Sequence, residues 1–301
     1  MQGLILINKP QDITSFGAVN KLKWLCQTKR VGHTGTLDPM ATGVLPIFVG
    51  RPTVLSDYLL NADKEYIAGV KLGITTDTLD ITGEILSKRD VNISYETLAK
   101  TADSFLGKIK QVPPMYSAIK KDGVPLYKLA RQGKEIKREE RNVTIKELEI
   151  LSFDNAEFSM RVLCSKGTYI RSLADDIGKV LGVGAALTSL CRTKAAGFSL
   201  EQTVDLNNLT RENVESFLIN EEKAVEHYPE TYISESQAVR FSNGGELSLE
   251  RLKNMGQISD GKIYRVHFGE IFIGLGKISL EKNALTVEAL VNFINNKNNK
   301  G

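Results

Sequence analysis

A chain of 301 residues that is 42% hydrophobic and 25% charged has the composition of an ordinary soluble globular protein and the length for about two domains. That balance excludes disordered and fibrous classes, and a net charge of +3 leans only weakly towards anionic partners. The three cysteines, Cys26, Cys164 and Cys191, are odd in number and unevenly spaced, which argues against a disulfide framework and against a zinc site of paired cysteines. His33, His227 and His267 form no HExxH pattern, so no metal site is expected. The short apolar run Leu4 to Ile7 lacks the length and basic flank of a signal peptide, and no uncharged run is long enough for a bilayer. A cytoplasmic protein with no membrane association is expected.

In chain order, Leu4 to Ile7 reads as a buried strand. A helix follows from about Ser15, with Thr14 or Ser15 as its cap and Phe16, Val19, Leu22 and Leu25 as its apolar face. Val44 to Val49 reads as a second buried strand, and Pro52 suits the first turn of a helix through Tyr58. This places Asp38 between a helix and a strand. Glu65 to Leu72 reads as a strand, and Val143 to Ile150 pairs plausibly with Glu157 to Cys164 across Asn155.

Between these strands, Lys120 to Arg141 holds eight basic residues against four acidic ones and room for only a short helix, about Leu126 to Arg131, ended by Gly133. We read an insertion, about 108–142, projecting from the sheet. It is either a solvated charged loop or an arm that contacts phosphates. Tyr169 to Leu181 is a helix closed by Gly182, and Leu209 to Leu218 a further helix that Thr210 would cap. Residues 220–231 read as a linker, and beyond them short alternating strands with Gly turns form a small β-rich domain. The polar tail Asn295 to Gly301 is expected to fray.

The most informative stretch is Gly32-His33-Thr34-Gly35-Thr36-Leu37-Asp38-Pro39-Met40-Ala41-Thr42-Gly43-Val44-Leu45. Pro39 disfavours the α region for Asp38, and the glycines allow tight turns or close approach to a ligand, so a carboxylate is held out on an ordered loop. Asp-Pro is also common turn chemistry, and the local pattern alone leaves both readings open.

The whole string resembles the GHTGxLDPxATGxLP motif of the TruB-type tRNA pseudouridine synthases. Three further segments match in the expected order: Asn8-Lys9-Pro10, Lys64-Glu65-Tyr66, and Lys166-Gly167-Thr168-Tyr169-Ile170-Arg171. Pro113-Pro114-Met115-Tyr116-Ser117-Ala118 agrees as well, and the resemblance runs from about residue 3 to about residue 200. It implies an α+β pseudouridine synthase fold, with a central, mainly antiparallel mixed sheet flanked by helices over 1–228. Residues 229–301 would form a PUA-like RNA-binding domain, a weaker match resting on Arg240 to Gly245 and the Gly-rich strand near Gly274.

By resemblance the catalytic residues are Asp38 as nucleophile, Tyr66 stacked on the target uracil and implicated in proton transfer, and Arg171 as ion-pair partner of Asp38. A guanidinium beside a carboxylate favours its ionised form, and a bidentate pair fixes its orientation. His33, Lys9, Leu190, Tyr169 and Lys166 are the implied substrate-binding residues, and Asp80 is assigned to a polar network nearby. On local pattern alone, Tyr66 and Leu190 read as core, and His33 as structural.

The reaction implied is isomerisation of uridine to pseudouridine at position 55 in the T-loop of tRNA, without metal or cofactor, on a nucleotide flipped into a pocket. The implied partner is the tRNA T-arm stem-loop, recognised largely by shape and backbone charge. A monomer with no obligatory protein partner is expected. A non-catalytic RNA-binding or tRNA-folding protein on the same scaffold is the alternative, and a guide-RNA-dependent enzyme ranks below the stand-alone one.

Overall fold

The computed structural model of the protein describes residues 1–252 and 255–294. The chain opens with β1 (Gly3–Lys9), α1 (Ser15–Leu25) and a strand pair, β2 (Val31–His33) and β3 (Thr42–Val49). A 3-10 turn over Arg51–Leu55 runs into α2 (Ser56–Leu60), then β4 (Lys64–Leu72), a small hairpin of β5 (Ile74–Thr76) and β6 (Ile85–Lys88), α3 (Tyr95–Asp103) and β7 (Gly107–Gln111). A second hairpin, β8 (Lys120–Lys121) and β9 (Val124–Pro125), leads to α4 (Leu126–Ala130). Long strands β10 (Arg141–Asp154) and β11 (Glu157–Cys164), helix α5 (Ile170–Val180) and strand β12 (Ala185–Ala195) follow, with short β13 (Phe198–Ser199) and β14 (Val204–Asp205). The last part holds β15 (Glu230–Tyr232), α6 (Glu235–Ser242), β16 (Leu247–Ser248), β17 (Ile263–Phe268), β18 (Ile271–Ser279) and β19 (Ala284–Leu290).

The large sheet runs β14-β1-β3-β12-β4-β11-β10-β7. The pairs β1–β14 and β3–β12 are parallel and the others along this path antiparallel, which is the α+β mixed sheet expected. The continuous apolar run of β1 follows from burial on both faces. Ile5 and Ile7 pack with Leu22 and Leu25 of α1, while Leu4 and Leu6 face the opposite way into a second cluster. That second cluster also contains Ala224, Val225, Phe272, Leu275 and Val291, so it joins the large sheet to the five-stranded C-terminal sheet β15-β17-β18-β19-β16.

Several expectations are corrected. The carboxylate loop lies between two paired strands, β2 and β3, not between a helix and a strand. Phe16 is not on the apolar face of α1: Ala18, Val19, Leu22 and Leu25 bury, and their arc leaves Phe16 64% exposed. Leu209 to Leu218 forms no α-helix and contains only a 3-10 turn over Val214–Phe217. The Asn213 side chain accepts from Thr210 N–H (2.8 Å) and donates to the Asn208 carbonyl (2.9 Å), closing local turns that compete with the helix.

Residues 220–231 are not a free linker, since a 3-10 turn over Glu221–Val225 packs Ala224 and Val225 into the second cluster. The insertion begins later than 108, because β7 is an edge strand of the large sheet bonded to β10. The tail Asn295 to Gly301 lies outside the described residues.

Because Leu275 is fully buried in the shared cluster, Leu275→Ala removes about 2–5 kcal/mol. Amide exchange measured across the chain is expected to quicken in β1 and β3 as well as in β18. A change confined to β17 to β19 would contradict the coupling.

Candidate active site

The loop bearing Asp38 is fixed at several points along its length. Ser15, the first residue of α1, accepts from Leu37 N–H (2.8 Å) and donates to its carbonyl (3.2 Å). The wholly buried Lys9, at the end of β1, directs its ammonium to the carbonyls of Pro10 (2.8 Å), Ile13 (2.7 Å) and Pro39 (3.3 Å). Burial lowers the Lys9 pKa to about 8. With its three protons directed to backbone carbonyls, Lys9 braces the loop and is not aimed at a ligand. At the far end of the loop, Gly43 (φ +107°) lies against β12, where a Cβ would sit 2.2 Å from the Arg192 carbonyl oxygen.

Arg171 comes from the first turn of α5, whose buried face carries Ile170, Arg171, Leu173 and Ala174. The helix start is held by Gln111 of β7, which accepts from Tyr169 N–H (2.8 Å) and donates to the Tyr169 carbonyl (3.0 Å). The guanidinium grips Asp38 with two parallel bonds, Nε to Oδ2 (2.9 Å) and Nη2 to Oδ1 (3.0 Å). It also donates from Nη1 to the Thr78 carbonyl (2.9 Å) and from Nη2 to the Tyr116 carbonyl (2.8 Å).

Asp80 Oδ2 lies 3.7 Å from Nη1, and Asp80 Oδ1 accepts from Thr78 Oγ1 (2.8 Å) and from Thr82 N–H (3.0 Å). The polar network expected around Asp80 is therefore present. The Arg171 side chain is 4% exposed and that of Asp38 31%, so the cation sits behind the acid and leaves it open on its outer side.

Tyr66 of β4 is buried opposite Arg192 of β12 in the strand register, and burial raises its phenol pKa. Leu190 is buried two residues before Arg192 and opposite Ala68. Arg192 is the residue that sequence reasoning missed. It is almost wholly buried and donates from Nε to the Val44 carbonyl (2.8 Å) and from Nη2 to the Gly35 carbonyl (3.2 Å), clasping both ends of the Asp38 loop. Its signal was alternation: an arginine two residues beyond a buried leucine in a strand points to the same face. Lys64 is likewise buried, donates to the Leu60 (3.2 Å) and Ala62 (2.6 Å) carbonyls, and has its pKa lowered to about 8 by burial.

His33 ends β2, and its Nδ1 accepts from Gly35 N–H (3.2 Å), shaping the turn into the loop. Burial, reinforced by Arg192, lowers its pKa, in keeping with a neutral ring that accepts a bond. Tyr169 is half-buried beside Arg171, whereas Lys166 is exposed and bonded to Asn61 Oδ1 (2.5 Å). The arrangement therefore unites Asp38, Arg171, Asp80 and Tyr116 directly. Lys9, His33 and Arg192 shape the loop beneath them.

A carboxylate gripped from behind and open in front is held in one orientation and stays accessible to a group that enters from solvent. The fold points to the class of protein. The chain superposes on a Cbf5-Nop10-Gar1 complex component with a TM-score of 0.74, 27% identity and coverage of 97% of this chain and 85% of that one. It also superposes on a chain of an H/ACA RNP bound to a substrate RNA containing 2'-deoxyuridine, with a TM-score of 0.73, 25% identity and coverage of 96% and 85%.

In sequence, residues 23–170 match the model of the TruB family pseudouridylate synthase N-terminal domain, and 171–228 that of the tRNA pseudouridylate synthase B C-terminal domain. The tRNA pseudouridine synthase B of Clostridium tetani is 45% identical over 93% of this chain and 97% of its own length. That of Chromobacterium violaceum is 43% identical over 92% and 90%. The chain belongs to the TruB family and is a pseudouridine synthase.

Since burial holds His33 below its ordinary value of 6.5, the unfolded chain binds a proton that the native state refuses as pH falls through that value. Stability from this group is complete above about pH 6.5 and declines on acidification. Urea unfolding at pH 7.5 and 5.5 is expected to show a larger loss for the wild type than for His33→Asn. Equal losses would mean that His33 is not held neutral.

Proposed function

We propose that this protein isomerises uridine to pseudouridine at position 55 in the T-loop of tRNA, with Asp38 as the nucleophile acting on a flipped-out uridine. The observation that carries this reading is the bidentate Arg171–Asp38 pair with the acid exposed on its outer side. The names of its relatives, tRNA pseudouridine synthase B, support tRNA as the substrate.

In the reaction the N1–C1′ bond breaks, the base turns, C5 bonds to C1′, and the C5 proton leaves while N1 gains one. Asp38 starts it by attacking C6 of the base, by attacking C1′, or by assisting loss of the C2′ proton. All three routes require an oriented, charged carboxylate. Tyr66, on β4 opposite Arg192 of β12, supplies an aromatic face for the extruded base. The isomerisation brings no net oxidation or reduction and consumes no second reactant, so the reading requires no cofactor.

RNA recognition is assigned to the charged segment between β7 and β10 and to residues 229–301 as a PUA-like domain. Lys120, Lys121, Lys128, Lys134 and Lys137 are exposed along that segment, whereas Arg138 donates to the Pro113 carbonyl (3.1 Å) and serves the fold. The protein is read as a cytoplasmic monomer that acts without an obligatory protein partner.

The purified chain alone, incubated with a T-arm transcript tritiated at uracil C5, is expected to release tritium, and Asp38→Ala to release none while retaining RNA affinity. No release by the wild type would defeat the enzyme reading. Full turnover by Asp38→Asn would remove Asp38 as the nucleophile. Charge reversal of Lys128, Lys134 and Lys137 is expected to weaken RNA binding by at least tenfold at low salt and to flatten its salt dependence. An unchanged slope would remove this segment from the RNA interface.

A further inference from the structure

Helix α1 serves the active site with its buried side, where Ser15 bonds both backbone groups of Leu37, the residue before Asp38. Its outward side is open to solvent. From Ile13 through Leu37 the sequence contains Lys21, Lys23, Lys29 and Arg30 and no acidic residue. On that outward side two large aromatic rings stand in solvent, Phe16 at 64% and Trp24 at 61% exposure.

A single exposed aromatic needs no explanation, but each of these rings carries a cation on one face. The Lys23 ammonium lies 5.4 Å from the Phe16 ring centroid, and the Arg211 guanidinium, from the segment after β14, lies 4.1 Å from that of Trp24. The spacing of eight residues sets the two rings about 12 Å apart along the helix axis. Phe16 adjoins the residue that holds the catalytic loop.

We propose that this face of α1 is an accessory RNA-stacking surface, on which Phe16 and Trp24 take unpaired bases flanking the reacting nucleotide while Lys21, Lys23 and Arg211 meet the phosphates. The proposal rests on the reading of this protein as an enzyme acting on RNA. Cations interleaved with open π-faces suit a polyanion that also presents rings, because stacking tolerates any base and the charge draws the backbone. An acidic or purely apolar protein partner would use only half of what the surface offers. Glu212, next to Arg211, and Asp12, four residues before Phe16, are exposed acidic neighbours at its edges and leave the cations in excess. The position beside the Asp38 loop assigns the contact to RNA already engaged at the active site.

Trp24 is the one tryptophan in the chain, so its emission reports on this surface alone. A full-length tRNA transcript is titrated into the full chain, with free tryptophan as the absorption control and filter binding as the independent measure of affinity. Stacking predicts quenching of Trp24 emission that saturates together with filter retention. It also predicts about tenfold weaker binding for Phe16→Ala and for Trp24→Ala, binding within twofold of wild type for Trp24→Phe read by filter retention, and an unchanged rate for fully bound RNA in all three.

Filter retention without a change in emission, or wild-type affinity in both alanine variants, would overturn the proposal. Tritium release by the wild type reads the proposed function separately. Release without quenching sinks only this surface, and quenching without release sinks only the enzyme reading.

Discussion

The two parallel hydrogen bonds between Arg171 and Asp38 join parts of the chain 133 positions apart, and the active site is organised around that junction. The guanidinium has little solvent and little freedom to turn, because two of its three remaining donors go to the carbonyls of Thr78 and Tyr116 and Asp80 lies 3.7 Å from Nη1. It therefore fixes three loops at once: the Asp38 loop, the turn after β5 and the segment after β7. A lysine could supply the charge but not the fork, since a point charge on a flexible stem cannot hold both carboxylate oxygens and two carbonyls in one plane. Asp38 stays open on one side while the guanidinium behind it is covered.

Beneath the pair lies a second set of cations with no carboxylate partners among their hydrogen bonds. Lys9, Lys64 and Arg192 are all buried and donate to backbone carbonyls, Lys9 to three and each of the others to two. Burying a cation is costly unless its donors are used, and each of these is used to tie chain segments together. Lys9 holds the middle of the catalytic loop, Arg192 both ends, and Lys64 the turn before β4.

Much of this was legible in the sequence, for reasons that differ by element. Strands β1 and β3 are buried on both faces and so read as unbroken apolar runs, and the β10–β11 pair is punctuated by Asn155, whose φ of +53° fits a tight turn. Asp38, Tyr66 and Arg171 were found through contiguous motifs, and the structure joins Asp38 to Arg171 as expected. What stayed hidden depends on tertiary partners. Strand β12 mixes Thr, Ser, Cys, Arg and Lys with its apolar residues, because one face supports the site and the other meets solvent. The outward turn of Phe16 and the packing of residues 221–225 were decided by neighbours that a local pattern does not reveal, whereas the 3-10 turn over Val214–Phe217 goes with the local bonds of Asn213. Lys9 was legible as a site residue, but its use as a brace depended on the carbonyls that the fold gathers around it.

In the proposed reaction Arg171 holds the Asp38 carboxylate in its reactive orientation. The most direct test is the single-turnover rate of Arg171→Lys at saturating tRNA, measured beside the RNA dissociation constant and the unfolding midpoint. The account predicts a chemical rate at least 100-fold lower, with RNA affinity within threefold of wild type and a protein that still folds. A folded variant that reacts within tenfold of the wild-type rate would contradict it.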